Sequence, residues 1–298
     1  MDKSYLEYGK RGYGQDHDLY DWRQAKDRPK LTWDDNTKVA ISLVIPLEFF
    51  PLNPSGKPFK HPGAMVTPYP DLRHFTVRDY GNRVGVFRIL KELEDEKVKA
   101  SFAISGEVAR RYPPLIKIII AAGHEIVAHG ISTDHIHHEA LSAKEETVLI
   151  KNTLACFDTM PSGWMSPARG QSSRTLELLS NAGLEYCLDW EMDSVPVETN
   201  KGICLIPNSY ELSDFTLLHT RRQTEESWLK QIQNAIQYLK DEHSRFGAQS
   251  LGLTLTPYIM GQPFRIWALR ALLAYIAKQK DISILTAGNI TAQFKAQL

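Results

Sequence analysis

Short apolar runs alternate with amphipathic stretches along most of the chain, and the alternation predicts strands and helices in turn. Residues 38–46 (KVAISLVIP) form an almost unbroken Val/Ile/Leu run, the pattern of a strand buried on both faces. Residues 79–96 then place Val86, Ile89, Leu90 and Leu93 on one helical face. A strand is predicted over 99–105, a helix in 106–123 that begins after the two prolines and stops at Gly123, and a strand over 125–130. Residues 142–160 predict a helix opened by a Ser142–Glu145 capping box. A short strand at 163–167 precedes a helix over 172–182, which Gly183 closes. Strands follow over 184–190 and 203–210, a helix over 224–243, a strand over 250–257, a helix over 263–279 and a last strand over 281–287. Repeated strand–helix alternation of this kind predicts an α/β fold around a mainly parallel sheet, doubly wound or closed into a barrel.

Two stretches fall outside the pattern. Residues 1–36 are polar, aromatic and aperiodic, and read as an N-terminal arm that suggests contacts in a homo-oligomer; residues 37–298 read as a single domain. The segment 49–77 carries Pro51, Pro54, Pro58, Pro62, Pro68 and Pro70, and a stiff loop of that length is expected to act as a lid.

Composition narrows the function classes. Lys plus Arg and Asp plus Glu both total 35 in 298 residues, so no basic stripe announces a nucleic-acid partner. The most apolar stretch, 113–122, is interrupted by Lys117 and is too short to span a bilayer; the start of the chain lacks the apolar core of a secretion signal. The expectation is a soluble cytoplasmic protein with a small-molecule substrate and no membrane partner. Cys156, Cys187 and Cys204 are widely spaced, as buried reduced thiols would be.

In parallel barrels the chemistry collects at the C-terminal ends of the strands. The predicted strand ends supply Glu48, His129, Ser166 with Arg169 just beyond, Asp189 with Trp190, Glu211 and Thr256. Carboxylates, an imidazole, a guanidinium and hydroxyls on one rim would provide a base for water, an acid for a leaving nitrogen and donors for an oxyanion. Glu48 stands beside Phe49 and Phe50, whose rings would desolvate it, and Arg169 has the fork geometry that binds a carboxylate or an imide oxygen. Trp164 and Trp190 serve equally as pocket wall or core.

Five stretches carry a resemblance. GHEIVAHG (123–130) resembles the second motif of polysaccharide deacetylases, and GWMSPARGQSSRTLELLSNAGLEY (163–186) the third. CLDW (187–190) is similar to the fourth and LTLTPYIMGQPFRI (253–266) to the fifth, whereas RDYGNRVGVFRILKELE (78–94) points to the allantoinase and cyclic-imide hydrolase branch. The resemblance implies a distorted (β/α) barrel of the NodB-homology type. It also implies that His129 matches a metal-ligand histidine and that Asp189 orients a catalytic partner. The departures are equally specific. Only Glu48 stands where the first motif has an aspartate pair, and Thr133 and Thr256 replace histidines of the second and fifth motifs.

The expected function is hydrolysis of a non-peptide C–N bond in a small amide, ureide or cyclic imide. Glu48, His129 and Asp189 are the catalytic candidates; Arg169, Ser166, Trp164, Trp190, Glu211 and Thr256 are the substrate-binding ones. No cofactor is expected. The alternatives are a zinc-dependent carbohydrate N-deacetylase using Glu48, His129 and His135, and a non-catalytic small-molecule binding protein on the same scaffold.

Overall fold

A computed structural model of the chain describes residues 17–55 and 67–298. Its centre is β1 (Val39–Leu47), nine residues with every side chain buried, as the unbroken apolar run requires. Along its later half β1 pairs in parallel with β2 (Ser101–Ile104), and along its earlier half with β8 (Gln249–Thr254) and β9 (Ile282–Ile284). Outward from β2 the sheet continues through β3 (Glu125–Ala128), β4 (Gly163–Trp164), β5 (Tyr186–Cys187) and β7 (Cys204–Leu205). β6 (Val197–Glu198) is antiparallel to β7 and lies within a stretch for which the sequence pattern predicts no strand. β4, β5 and β7 are only two residues long, much shorter than the predicted runs.

The sheet curls until its ends meet. A parallel bridge joins Ser209, just past β7, to Leu253 of β8, with the Ser209 N–H donating to the Gly252 carbonyl at 2.9 Å. Gly252 makes the seam possible: a Cβ there would stand 2.3 Å from the Pro207 carbonyl oxygen and 2.7 Å from the Asn208 Cα.

Helices pack outside. α1 (Leu72–Tyr80) runs through a π-helical turn, Gly81–Gly85, into α2 (Val86–Asp95), which buries Val86, Ile89, Leu90 and Leu93 as its spacing predicts. The helix predicted after the prolines in 106–123 is α4 (Pro113–Ala121), whose first turn the prolines themselves form, and a separate helix, α3 (Gly106–Arg111), precedes it. α5 (Ala143–Leu154) has the capping box in full. α6 (Thr175–Asn181), α7 (Glu225–Asp241), the single turn α8 (His243–Phe246), α9 (Pro257–Met260), α10 (Ile266–Ala277) and α11 (Ala287–Lys295) complete the described helices. α11 replaces the end of the predicted last strand: the Thr286 side chain accepts from the Asn289 N–H and turns the chain into a helix.

Two expectations about the flanks change. The packed core begins before residue 37: Leu31 and Trp33 are buried in it with Val44 and Phe294, and Trp33 Nε1 donates to the Gln249 carbonyl at 2.8 Å. The lid expectation falls partly on residues 56–66, outside the described residues. Within its described part, α1 occupies the C-terminal end, and Ser55 donates from its N–H and hydroxyl to Asp134 at 2.8 and 2.9 Å.

Candidate active site at the barrel rim

The strand ends open on a cavity of about 160 Å³ lined by Glu48, His129, Ser166, Arg169, Tyr210, Thr254, Thr256 and Tyr258, among others. Glu48 follows β1, and its backbone carbonyl is held by Asn82 Nδ2 at 2.8 Å. Asn82 lies in the π-helical turn, whose wider winding is a common device for turning a side chain toward a functional site.

His129 follows β3 and is buried. Its Nδ1 lies 2.8 Å from the Met165 carbonyl, an acceptor only, so Nδ1 carries the hydrogen and Nε2 is left to face the cavity. Nε2 is 3.6 Å from the Glu48 carboxylate, too long for a direct hydrogen bond and short enough for both groups to reach one reacting centre. Gly130 (φ +58°) turns the chain directly after His129, and Pro167 packs where its Cβ would be.

The 166–171 loop is braced from behind. Asp189 accepts from the Ser166 N–H at 2.7 Å with one oxygen and from the Gln171 amide with the other. It stands behind the residues that line the cavity and holds the 166–171 loop in place. Within this loop Ala168 and Arg169 both have positive φ (53° and 54°), a strained pair that aims Arg169 at the rim. Arg169 reaches across the barrel seam, donating to the Asn208 carbonyl at 2.7 Å and the Thr254 hydroxyl at 3.1 Å.

Thr256 lines the cavity, and its N–H donates at 2.7 Å to Asp214, which is fully buried. Burial pushes the Asp214 carboxyl up to about 7, against the pull of the Thr256 N–H and the Arg265 charge. Its second oxygen has no hydrogen-bond partner.

Three substrate-binding expectations fail. Trp164 is wholly buried in the core, donating from Nε1 to Ser166 Oγ at 2.8 Å; it supports the site and does not touch the cavity. Trp190 packs behind β5 and against Tyr20, because the chain turns away from the rim after Asp189. Glu211 lies exposed on the surface, paired with Arg221. The sequence pattern also misses Tyr210, Phe215 and Tyr258 of the lining, since an aromatic residue near a strand end reads the same whether it walls a pocket or fills a core.

A zinc site needs about three protein ligands, and the residues present do not fit one. His135, proposed as a ligand with Glu48 and His129, is turned instead to Ser132, Asp134 and Ser55. The Thr133 N–H and hydroxyl both donate to the Phe49 carbonyl, so this residue ties two loops together. His137 is buried against Glu146 at 3.1 Å, and hydrogen bonds from His137, Ser172 and Thr175 hold that carboxylate down at about 2 although burial alone would raise it. Among the described residues no group of three or more His, Cys, Asp or Glu side chains is placed to hold a metal ion.

Residues 76–187 match the family model described as polysaccharide deacetylase. A peptidoglycan deacetylase of Helicobacter pylori is 33% identical over 111 residues, 36% of this chain and 37% of that protein, so the alignment spans little more than a third of the relative. Among solved structures, Puue allantoinase superposes with a TM-score of 0.80 at 19% identity, covering 92% of this chain and 97% of that one. A protein of Pseudomonas aeruginosa titled a probable polysaccharide deacetylase superposes at 0.79 with 20% identity, covering 92% and 98%. The fold is thus the NodB-type (β/α) barrel that the motifs imply.

Proposed function

From a chain that matches the polysaccharide deacetylase family over residues 76–187 and shares the barrel of Puue allantoinase, we propose a hydrolase of carbon–nitrogen bonds in small ureides, cyclic imides or related amides. The observation that carries the reading is the facing of Glu48 and His129 at 3.6 Å in a rim cavity of small-molecule size. A volume of about 160 Å³ suits one compact ring or acyl group.

In this reading a water molecule lies between Glu48 and the substrate carbonyl. Glu48 takes one of its protons as the oxygen attacks the carbonyl carbon, and the carbonyl pair moves onto oxygen. The hydroxyls of Ser166 and Thr256 also line the cavity and are the donors for that oxyanion. Return of the pair breaks the C–N bond while His129, protonated at Nε2, gives its proton to the departing nitrogen. A water molecule between the two groups then passes the proton held by Glu48 to Nε2 and resets the pair. No step is routed through a metal ion, because the donor set does not fit one.

The test is turnover of a panel of hydantoins, linear ureides, cyclic imides and N-acetyl compounds. Glu48→Gln and His129→Ala are each expected to lower kcat at least a hundredfold, within the usual range for loss of a general base or acid, with unchanged far-UV circular dichroism. Turnover that survives both substitutions, or no turnover of any panel member, would reject the reading.

A further inference from the structure

We propose that the substrate itself carries a carboxylate and that Arg169 is its receptor; this rests on the cavity being the substrate site. The reason lies in how Arg169 is left. It is held at the cavity by two neutral acceptors, the Asn208 carbonyl and the Thr254 hydroxyl, and it forms no ion pair with any described residue. A guanidinium has five N–H donors, and those two bonds leave donors over.

The acids whose charge reaches it are engaged elsewhere. Asp189 is occupied by Ser166 and Gln171, and Glu191 accepts from the Tyr210 N–H at 2.7 Å. Partial burial draws the guanidinium down from its ordinary range, as expected of a cation that has lost part of its water without a contacting counter-ion. A half-buried charge on a cavity wall, with donors left over, is completed by an anion that enters the cavity.

The chain also spends strain on this placement. Two consecutive non-glycine residues in the left-handed region, Ala168 and Arg169, are held by the Asp189 brace so that the side chain spans the seam. Tyr210, half exposed, places its ring 5.8 Å from the guanidinium carbon and forms a flat wall beside it. Among the described residues of the cavity lining Arg169 is the one Lys or Arg, and Glu48, the one carboxylate, lies 3.6 Å from His129. An anionic substrate therefore enters in one orientation, with its carboxylate on Arg169 and its scissile bond toward Glu48 and His129.

The experiment is thermal unfolding of the full chain with acetate or propionate, against propionamide and against chloride at matched ionic strength. The expected result is a saturable rise in Tm with the carboxylates alone, absent in Arg169→Met and with at least tenfold weaker apparent affinity in Arg169→Lys. The lysine variant carries the comparison if the methionine variant does not fold. No carboxylate-specific rise in the wild type, or an equal rise in Arg169→Met, overturns the inference. A second arm compares turnover of hydantoin-5-acetate with 5-propylhydantoin. Stabilisation by carboxylates without turnover of either compound or of any member of the panel leaves the anion site standing while the hydrolase reading fails. Equal kcat/KM for the two, with Arg169→Met lowering kcat and leaving KM unchanged, assigns Arg169 to the oxyanion and overturns this inference while the hydrolase reading holds.

Discussion

At the scale of single residues, the rim separates side chains that face the cavity from side chains that hold its lining in place. Glu48 and His129 face the cavity, whereas Asp189 and Asp214 stand behind it, each gripping a backbone N–H of a lining residue. Asp214 gives this arrangement a measurable signature. Its carboxyl ordinarily titrates near 3.8 and is pushed up to about 7 by burial, so the folded state keeps a proton that the unfolded chain has released. The linked stability is fully present below about pH 4 and is lost as pH rises to about 7, with an upper magnitude of about 4 kcal/mol. Asp214→Asn keeps an oxygen to accept from Thr256 and removes the titration. Chemical denaturation at pH 4, 6 and 8 is expected to show the wild type losing stability relative to this variant as pH rises; parallel profiles would refute the assignment. Arg265, itself paired with Glu225, and Tyr258 are the other titrating groups whose charge couples to this carboxyl.

Among the elements, the seam between the end of β7 and β8 decides whether the site exists. Arg169 bonds to both sides of it, so closure of the barrel and presentation of the guanidinium are one event. Gly252→Ala puts a methyl group against the Pro207 carbonyl, where only backbone movement relieves the contact. The expected cost is about 1–3 kcal/mol, read as a lower urea midpoint together with a weakened response to propionate. An unchanged midpoint would mean that the seam does not hold the sheet closed. The helices are more forgiving, since their boundaries are set locally by Ser142, Thr224 and Thr286 as N-caps.

The whole molecule draws on more of the chain than the periodic pattern marks. Leu31 and Trp33, which precede β1, lie in the same buried cluster as residues of β1, β2 and α11. Trp33→Ala is expected to cost about 3–5 kcal/mol, the range for a large aromatic side chain lost from a core, measured by denaturation. A cost below about 1 kcal/mol, typical of surface substitutions, would return this segment to the status of an appended arm. Among the described residues no helix is long and apolar enough to cross a membrane.

The chain by itself determined what depends on neighbours in sequence. The apolar run of β1, the face of α2, the capping box of α5 and the glycines closing α4 and α6 are local signals, and each marks its element to within a few residues. The order of strands and helices then pointed to the strand-end rim, which is why Glu48, His129, Ser166, Arg169 and Thr256, which line one cavity there, were legible as candidates. Tertiary structure alone decided which candidates meet. Arg169, Asn208 and Thr254 are separated by 39 and 85 residues from first to second and first to third, and no local pattern records that a seam brings them together. The same holds for Asp214, which stands 42 residues from the N–H it accepts. Trp190 and Glu211 have the residue types of a binding site, but the backbone turns them elsewhere, and side-chain direction at a strand end is fixed by the loop that follows it.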